Sequence, residues 1–414
     1  MKAIQTLCLV LLLAPPAWSQ QNRREAEATP PQPRKLTLRT ALELANRQNL
    51  DLAAARQRHG VTLAGVQIAR QLPNPIVNLA VLRDTPHEGL FFEQPFEIGG
   101  KRKRRIELAR QQTSLTDVEI SAAERQVRRK VRQAFYTAAA ARSQSAQRGQ
   151  ALELSRRLRA TAQARFDAGD VPQLEVFQAE LEVARAETEL TVAQQREKVA
   201  WSQLNALLNE PPEMVWEPAG AMEELPPAVT LADLTRRAQE SNAELQHLAQ
   251  EERIEQGRRA LLRAERIPTV NLQFGTDFNA PHDFRVGPRS QLSLAVPIFS
   301  RNQGELAQAQ ATLGMLAGQL AATRRAVASR VEASYLEFVA RRTQVELFRG
   351  TLLSAGRRLQ SLAEESYKAG KASILTVLDA QRNVQQIERD YVDSLLGLQA
   401  AFAELEETVG AALD

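Results

Sequence analysis

Two hydrophobic periods alternate along this chain. From Val270 to Phe278 the apolar Val270, Leu272, Phe274 and Phe278 alternate with Asn271, Gln273, Gly275 and Asp277. Leu292, Leu294 and Val296 then alternate with Gln291, Ser293 and Ala295. A period of two belongs to a strand with one apolar face, so the pattern predicts a hairpin of strands about ten residues long. An earlier stretch repeats it: Val77, Leu79 and Val81 stand against Asn78 and Ala80, then Leu90, Phe92, Phe96 and Ile98 against Glu93 and Glu97.

Around these hairpins the period is helical. A helix is expected from near Thr37, with Leu38, Leu42, Ala45, Leu52 and Ala55 on one face and Pro73 and Pro75 as its stop. Its opening is echoed later, Thr37-Leu38 by Thr230-Leu231 and Asn49-x-Asp51-Leu52 by Asn242-x-Glu244-Leu245. From about Asn302 to Glu365, Leu306, Leu313, Leu320 and Val327 are seven apart. Val331, Phe338, Val345, Leu352 and Leu359 continue as a second column, a heptad seam expected in the core. About 64 residues at about 1.5 Å each make a rod of nearly 100 Å. The first half keeps part of the frame in Ile106, Ile120, Val127 and Val131. The helices Pro172 to Asn209 and Ala372 to Val409 cover about two thirds of that length, and the opening helices stacked on their ends would fill the rest.

One motif occurs twice. Ser366-Tyr367-Lys368-Ala369-Gly370-Lys371 repeats Arg165-Phe166-Asp167-Ala168-Gly169-Asp170, and Leu375-Thr376-Val377 repeats Leu174-Glu175-Val176. In each copy a helical pattern runs into Ala-Gly, where glycine can take the left-handed conformation that ends a helix. Each copy therefore predicts the tip of a helical hairpin within a duplicated chain. The division expected is an export signal over 1–19, a Pro-rich leader over 20–35, a first repeat over 36–210, a linker over 211–228 and a second repeat over 229–414.

Composition narrows the class. Aromatic residues are 5% of the 414 positions and the formal net charge is only +4, so the chain reads as long mixed-charge helices with no indicated nucleic-acid partner. Met1 to Ser19 has one lysine, an apolar run from Leu7 to Ala14 and small residues before Gln20, as an export signal does. Cys8, the single cysteine, lies inside that segment without a lipobox, leaving the remaining chain no thiol.

Strands with one apolar and one polar face, isolated among long helices, suit a barrel wall with lipid outside and water inside. Two hairpins cannot close a membrane barrel, for which about eight strands is the minimum, so the barrel must be shared among several chains. No catalytic spacing stands out, and the basic run Lys101 to Arg105 lacks the pattern of a phosphate loop; anionic lipid headgroups are its expected neighbours. Glu93, Glu97 and Asp277 are expected on the water side, making the lumen cation-friendly. His87 and His282 occupy matching Pro-His-acid loops, read as inherited loop composition rather than as metal ligands, and His59 and His247 read as helix surface. No cofactor, metal or enzymatic site is expected. An alternative class, a secreted or periplasmic coiled-coil structural or adhesive protein, explains the heptads but leaves the strands unused.

Leu72-Pro73-Asn74-Pro75, Gln94-Pro95-Phe96-Glu97-Ile98-Gly99-Gly100-Lys101-Arg102, Val296-Pro297-Ile298-Phe299 and both Ala-Gly tips resemble those of TolC-type outer-membrane efflux channels, especially the outer-membrane component of cobalt-zinc-cadmium-type heavy-metal efflux systems. The resemblance runs from Thr37 to the C-terminus. It implies a mainly α fold with a small transmembrane β part: a homotrimer with one 12-stranded barrel in outer-membrane lipid and a periplasmic α-helical tube. It further implies that the tips, at Phe166, Ala168, Gly169, Asp170, Tyr367, Ala369, Gly370 and Lys371, meet a periplasmic adaptor (membrane fusion) protein of an inner-membrane RND pump. By the same resemblance Asp379 occupies one position of the acidic ring that narrows the closed pore, and Thr376 stands where a second acid is usual.

Overall fold

The computed structural model describes residues 34–220, 224–280 and 284–413; the expected export signal and His282 lie outside them. The first half runs β1 (Arg34–Leu36), α1 (Leu38–Gln48), α2 (Leu50–Arg70), β2 (Ile76–Val81), β3 (Glu88–Phe96), α3 (Lys101–Asp167) and α4 (Gln173–Leu208). After β4 (Trp216–Pro218) the second half repeats the order: α5 (Leu231–Ser241), α6 (Ala243–Glu265), β5 (Val270–Ala280), β6 (Phe284–Leu294), α7 (Gln303–Leu347), a π-helical turn (Phe348–Leu352), α8 (Leu353–Lys368) and α9 (Ile374–Val409). At about 1.5 Å per residue the 67 residues of α3 reach about 100 Å.

The expected opening helix is two helices in each half, and an asparagine makes the break. Asn49 is extended (φ −61°, ψ 125°); its side-chain oxygen accepts from Leu52 N at 3.0 Å, capping α2. Its amide nitrogen donates to Leu207 O at 2.9 Å, on the last turn of α4. Asn242 does the same, accepting from Leu245 N at 3.2 Å and donating to Thr408 O at 2.8 Å. The repeated Asn in the sequence echo is thus the pin that joins the opening helices to the ends of the returning ones. Thr37 caps α1 as its position suggests, accepting from Thr40 N at 3.1 Å.

Other expectations need correction. β2 has six residues rather than ten, and Ile98 and Val296 lie beyond their strands. Arg34 and Lys35, at the end of the expected leader, pair in parallel with Trp216 and Glu217 of the expected linker. This short ladder seats Leu36 in the core beside Trp201 and Trp216. Leu352 and Leu359 are exposed in the single chain. The π-helical turn adds one residue, so the column through Val331, Phe338 and Val345 moves on to Leu353, Gln360 and Tyr367. Leu359 is left on the open side of α8.

The sheet and the long helices form one wall, with α1 packed across α3 and α4 and α5 across α7 and α9. The sheet order is β2-β3-β5-β6, antiparallel throughout. Below it α2 packs on α3, α3 on α6 and α6 on α7; towards the tips α4 packs on α3, α3 on α9 and α9 on α8. Strands and helical tracks therefore keep the same order from side to side, and the wall has two free edges: β2, α2 and α4 on one, β6, α7 and α8 on the other. Its main core joins Val327, Val331, Phe338 and Val345 to Leu395, Leu398, Phe402 and Leu405. The two halves are tied by Arg132 of α3, which reaches Glu406 of α9 at 3.3 Å and lies 5.0 Å over the Phe402 ring.

Candidate functional site: the two sheet faces and the paired tips

The register sorts every strand residue onto one of two faces. Leu79, Leu90, Thr276 and Pro288 form one row; Val77, Phe92, Phe274 and Ser290 the next. Their large apolar members stand exposed, as do Val81, Phe96, Leu292 and Leu294 on the same face. An apolar face of this extent is unusual against water and costs nothing against lipid. Among the described residues no helix is long and apolar enough to cross a membrane, so the sheet alone carries this feature.

The opposite face is polar. Glu93 shares a row with Ile76, Gln273 and Gln291, and Asp277 lies in the row of Ala80, Gly89 and Gly287. Glu97 lies one residue beyond β3, where Arg105 holds it at 2.6 and 3.0 Å. That hydrogen bond holds the Glu97 carboxyl below its ordinary range. Sequence reasoning missed Phe91, which breaks the alternation and turns its ring onto the polar face over Gly275. The glycine opposite was a signal, but only the pairing of β3 with β5 makes it one.

Most of the basic run after β3 has an internal task. Arg102 donates to Arg70 O at 2.9 Å, Arg105 to Ala69 O and Gln71 O at 3.1 Å each, and Lys101 to Thr269 Oγ1 at 2.8 Å. Arg102 and Arg105 thus satisfy the carbonyls at the C-terminus of α2, while Lys103 and Arg104 are exposed.

Both tips close in the same way. Gly169 (φ +82°) donates to Phe166 O at 2.9 Å while Asp170 donates to Arg165 O at 2.9 Å. Gly370 (φ +72°) donates to Tyr367 O at 2.9 Å while Lys371 donates to Ser366 O at 2.8 Å. This is the paired-carbonyl helix ending that requires a left-handed residue, which glycine supplies without strain. Ala168 and Ala369 are the last residues before each turn. The tips lie side by side over Leu158, Ala162, Val176, Ile374, Val377 and Leu378.

One tip grips the other. The Arg165 guanidinium lies 4.8 Å over the Tyr367 ring, and the Tyr367 hydroxyl donates to Glu175 at 3.2 Å. Burial, and then the Glu175 carboxylate, pushes the Tyr367 phenol above its ordinary value. Phe166, its counterpart, is partly exposed. Asp379, on the first turns of α9, is open to solvent (side chain 71% exposed), 3.8 Å from Arg382, which also reaches Glu182 of α4 at 2.9 Å. Thr376 is exposed one turn before it.

The helix histidines have partners that spacing did not reveal: His59 meets Asp117 at 2.7 Å, and His247 meets Glu119 at 3.7 Å. Among the described residues no three His, Cys, Asp or Glu side chains converge as a metal site would need.

Comparison with known proteins bears on the whole wall. A family model described as outer membrane efflux protein matches twice, over residues 41–210 and 234–411. The cobalt-zinc-cadmium resistance protein CzcC of Cupriavidus metallidurans is 26% identical over 383 residues, covering 91% of this chain and 90% of that one. The fold is shared with VceC of Vibrio cholerae (TM-score 0.72, 16% identity, 91% and 97% of the two chains). It is also shared with CusC, solved in connection with transmembrane channel formation (TM-score 0.73, 16% identity, 91% and 92%). The duplicated wall, its lipid-ready sheet and the match over both halves place this chain in the family of outer membrane efflux proteins, which form channels and are not enzymes.

Proposed function

We propose that the chain is the outer-membrane channel of a tripartite efflux system. Three copies close one twelve-stranded barrel, and their helical walls make a tube that passes heavy-metal cations outward. The tips meet a periplasmic adaptor protein, itself joined to an inner-membrane RND pump.

The observation that carries the assembly is a difference between duplicated positions. Leu158 of α3 and Leu378 of α9 are 6% and 3% exposed in one buried cluster. Their counterparts 201 residues away, Leu359 of α8 and Phe177 of α4, are 49% and 57% exposed, and they lie on the two free edges of the wall. A neighbouring copy that sets its α4 against α8 rebuilds between chains the junction that α3 and α9 make within one. The sheet requires the same partner, because β2 and β6 each leave one row of backbone groups unpaired, and each such group costs several kcal/mol in hydrocarbon.

The likeness to CzcC, named for cobalt, zinc and cadmium resistance, supports the cargo. Deleting the gene from its host should lower tolerance to those three ions while tolerance to organic drugs stays within twofold. Unchanged metal tolerance with increased drug sensitivity contradicts the cargo. Asp379 is the gate residue in this reading, narrowing the pore between the tips. Complementation with Asp379→Asn should restore metal tolerance and admit large antibiotics; sensitivity equal to wild type removes Asp379 from that role.

A further inference from the structure

On the polar face of the sheet, one row farther from the helices than Glu93, the register aligns Asn78, Phe91, Gly275 and Arg289. Phe91 is buried although it faces this side, because its ring fills space left by two glycines. A Cβ on Gly275 would stand 2.4 Å from the ring, and one on Gly89 would stand 2.6 Å from it. Neither position accepts a side chain while the ring lies flat, which is the reason for glycine inside both strands. The Arg289 guanidinium rests on top, 5.5 Å from the Phe91 ring centre. Asp277 is 3.7 Å from Arg289, yet its side chain is only 13% exposed against 55% for the arginine. The carboxylate is tucked into the wall and the cation faces the open side.

We propose that Arg289, laid across Phe91, sets the charge preference of the barrel lumen, three copies forming a cationic collar on the outer side of the Glu93 row. The inference rests on the channel reading and adds to it the residue that discriminates between ions. With strands about 4.8 Å apart and tilted by about 40°, twelve of them enclose a barrel about 24 Å across between backbones. An ion on the axis is then about 12 Å from every wall, and closer to side chains that reach inward, within a Debye length of about 10 Å at 0.1 M salt. The collar therefore acts on everything that passes, enriching small anions there. The Glu93 row, two residues nearer the helices, does the reverse for cations.

The test is the reversal potential of the full-length channel in planar bilayers under a potassium chloride gradient centred near 0.1 M. Arg289→Gln should shift the cation-to-anion permeability ratio toward cations by about threefold, and Arg289→Glu further. Phe91→Leu keeps the charge but frees the guanidinium, and should give a smaller shift of the same sign. All shifts should shrink towards nothing near 1 M salt, where the Debye length is about 3 Å. An Arg289→Gln channel that conducts with the wild-type reversal potential overturns the collar and leaves the channel reading intact, as does a shift that persists undiminished at 1 M. Wild-type protein that never conducts overturns both.

Discussion

The two outgoing helices began as copies and no longer match. In the first repeat α3 is unbroken from Lys101 to Asp167; in the second the same path is α7, a π-helical turn and α8. Val127 and Val131 correspond to Val327 and Val331 at a separation of 200, whereas Phe166 corresponds to Tyr367 at 201. The second copy therefore carries one extra residue between these points, and the turn at Phe348–Leu352 houses it without rotating the tip out of register. Beyond the turn the tips differ as well: Tyr367 is locked by Arg165 and Glu175, while Phe166 remains at the surface. Duplication supplied two equal hairpins, and later changes made one the held partner and the other the holder.

The largest effect should come from taking one residue out of each helix. Removing Gly149 from unbroken α3 turns everything beyond it by about 100° and swings Leu158 and Ala162 out of their cluster. A loss of about 4 kcal/mol or more is expected at the tips, read as loss of amide-exchange protection. Removing Gly350, the matching position within the π-helical turn, should let α7 and α8 run on as one helix, with protection changed by about 1 kcal/mol or less. Equal losses would mean that the turn does not absorb the extra residue.

A smaller contrast separates the tip aromatics. Tyr367→Ala leaves a cavity in a buried cluster and should cost about 3–5 kcal/mol of local stability. Phe166→Ala, at the surface, should cost about 1 kcal/mol or less. Hydrogen exchange at Val377 and Leu378 reads both, and a Phe166→Ala loss as large as that of Tyr367→Ala would erase the distinction between holder and held.

Much of this architecture was legible beforehand because period and turn chemistry are local. Alternation placed the four strands of the β2-β3-β5-β6 sheet, though not the short β1-β4 ladder, and the Ala-Gly pairs placed both helix endings. What escaped depended on partners distant in sequence. Asn49 and Asn242 were visible as an echo, but that they break a helix follows from carbonyls about 160 residues away. Phe91 looked like one more apolar strand residue until β5 set Gly275 opposite it. The extra residue of the second repeat could have been found from the change in offset alone; the unbroken heptad spacing from Val331 to Leu359 concealed it.

A closed ring of three walls needs α8 of one copy to meet α4 of the next, and a cross-link across that seam tests this most directly. With Phe177→Cys and Leu359→Cys in the same chain, a short bis-thiol reagent should produce covalent species ending at three chains, while either single variant gives none. A chain that stays uncross-linked, or a ladder running past three, would contradict a closed ring of three walls.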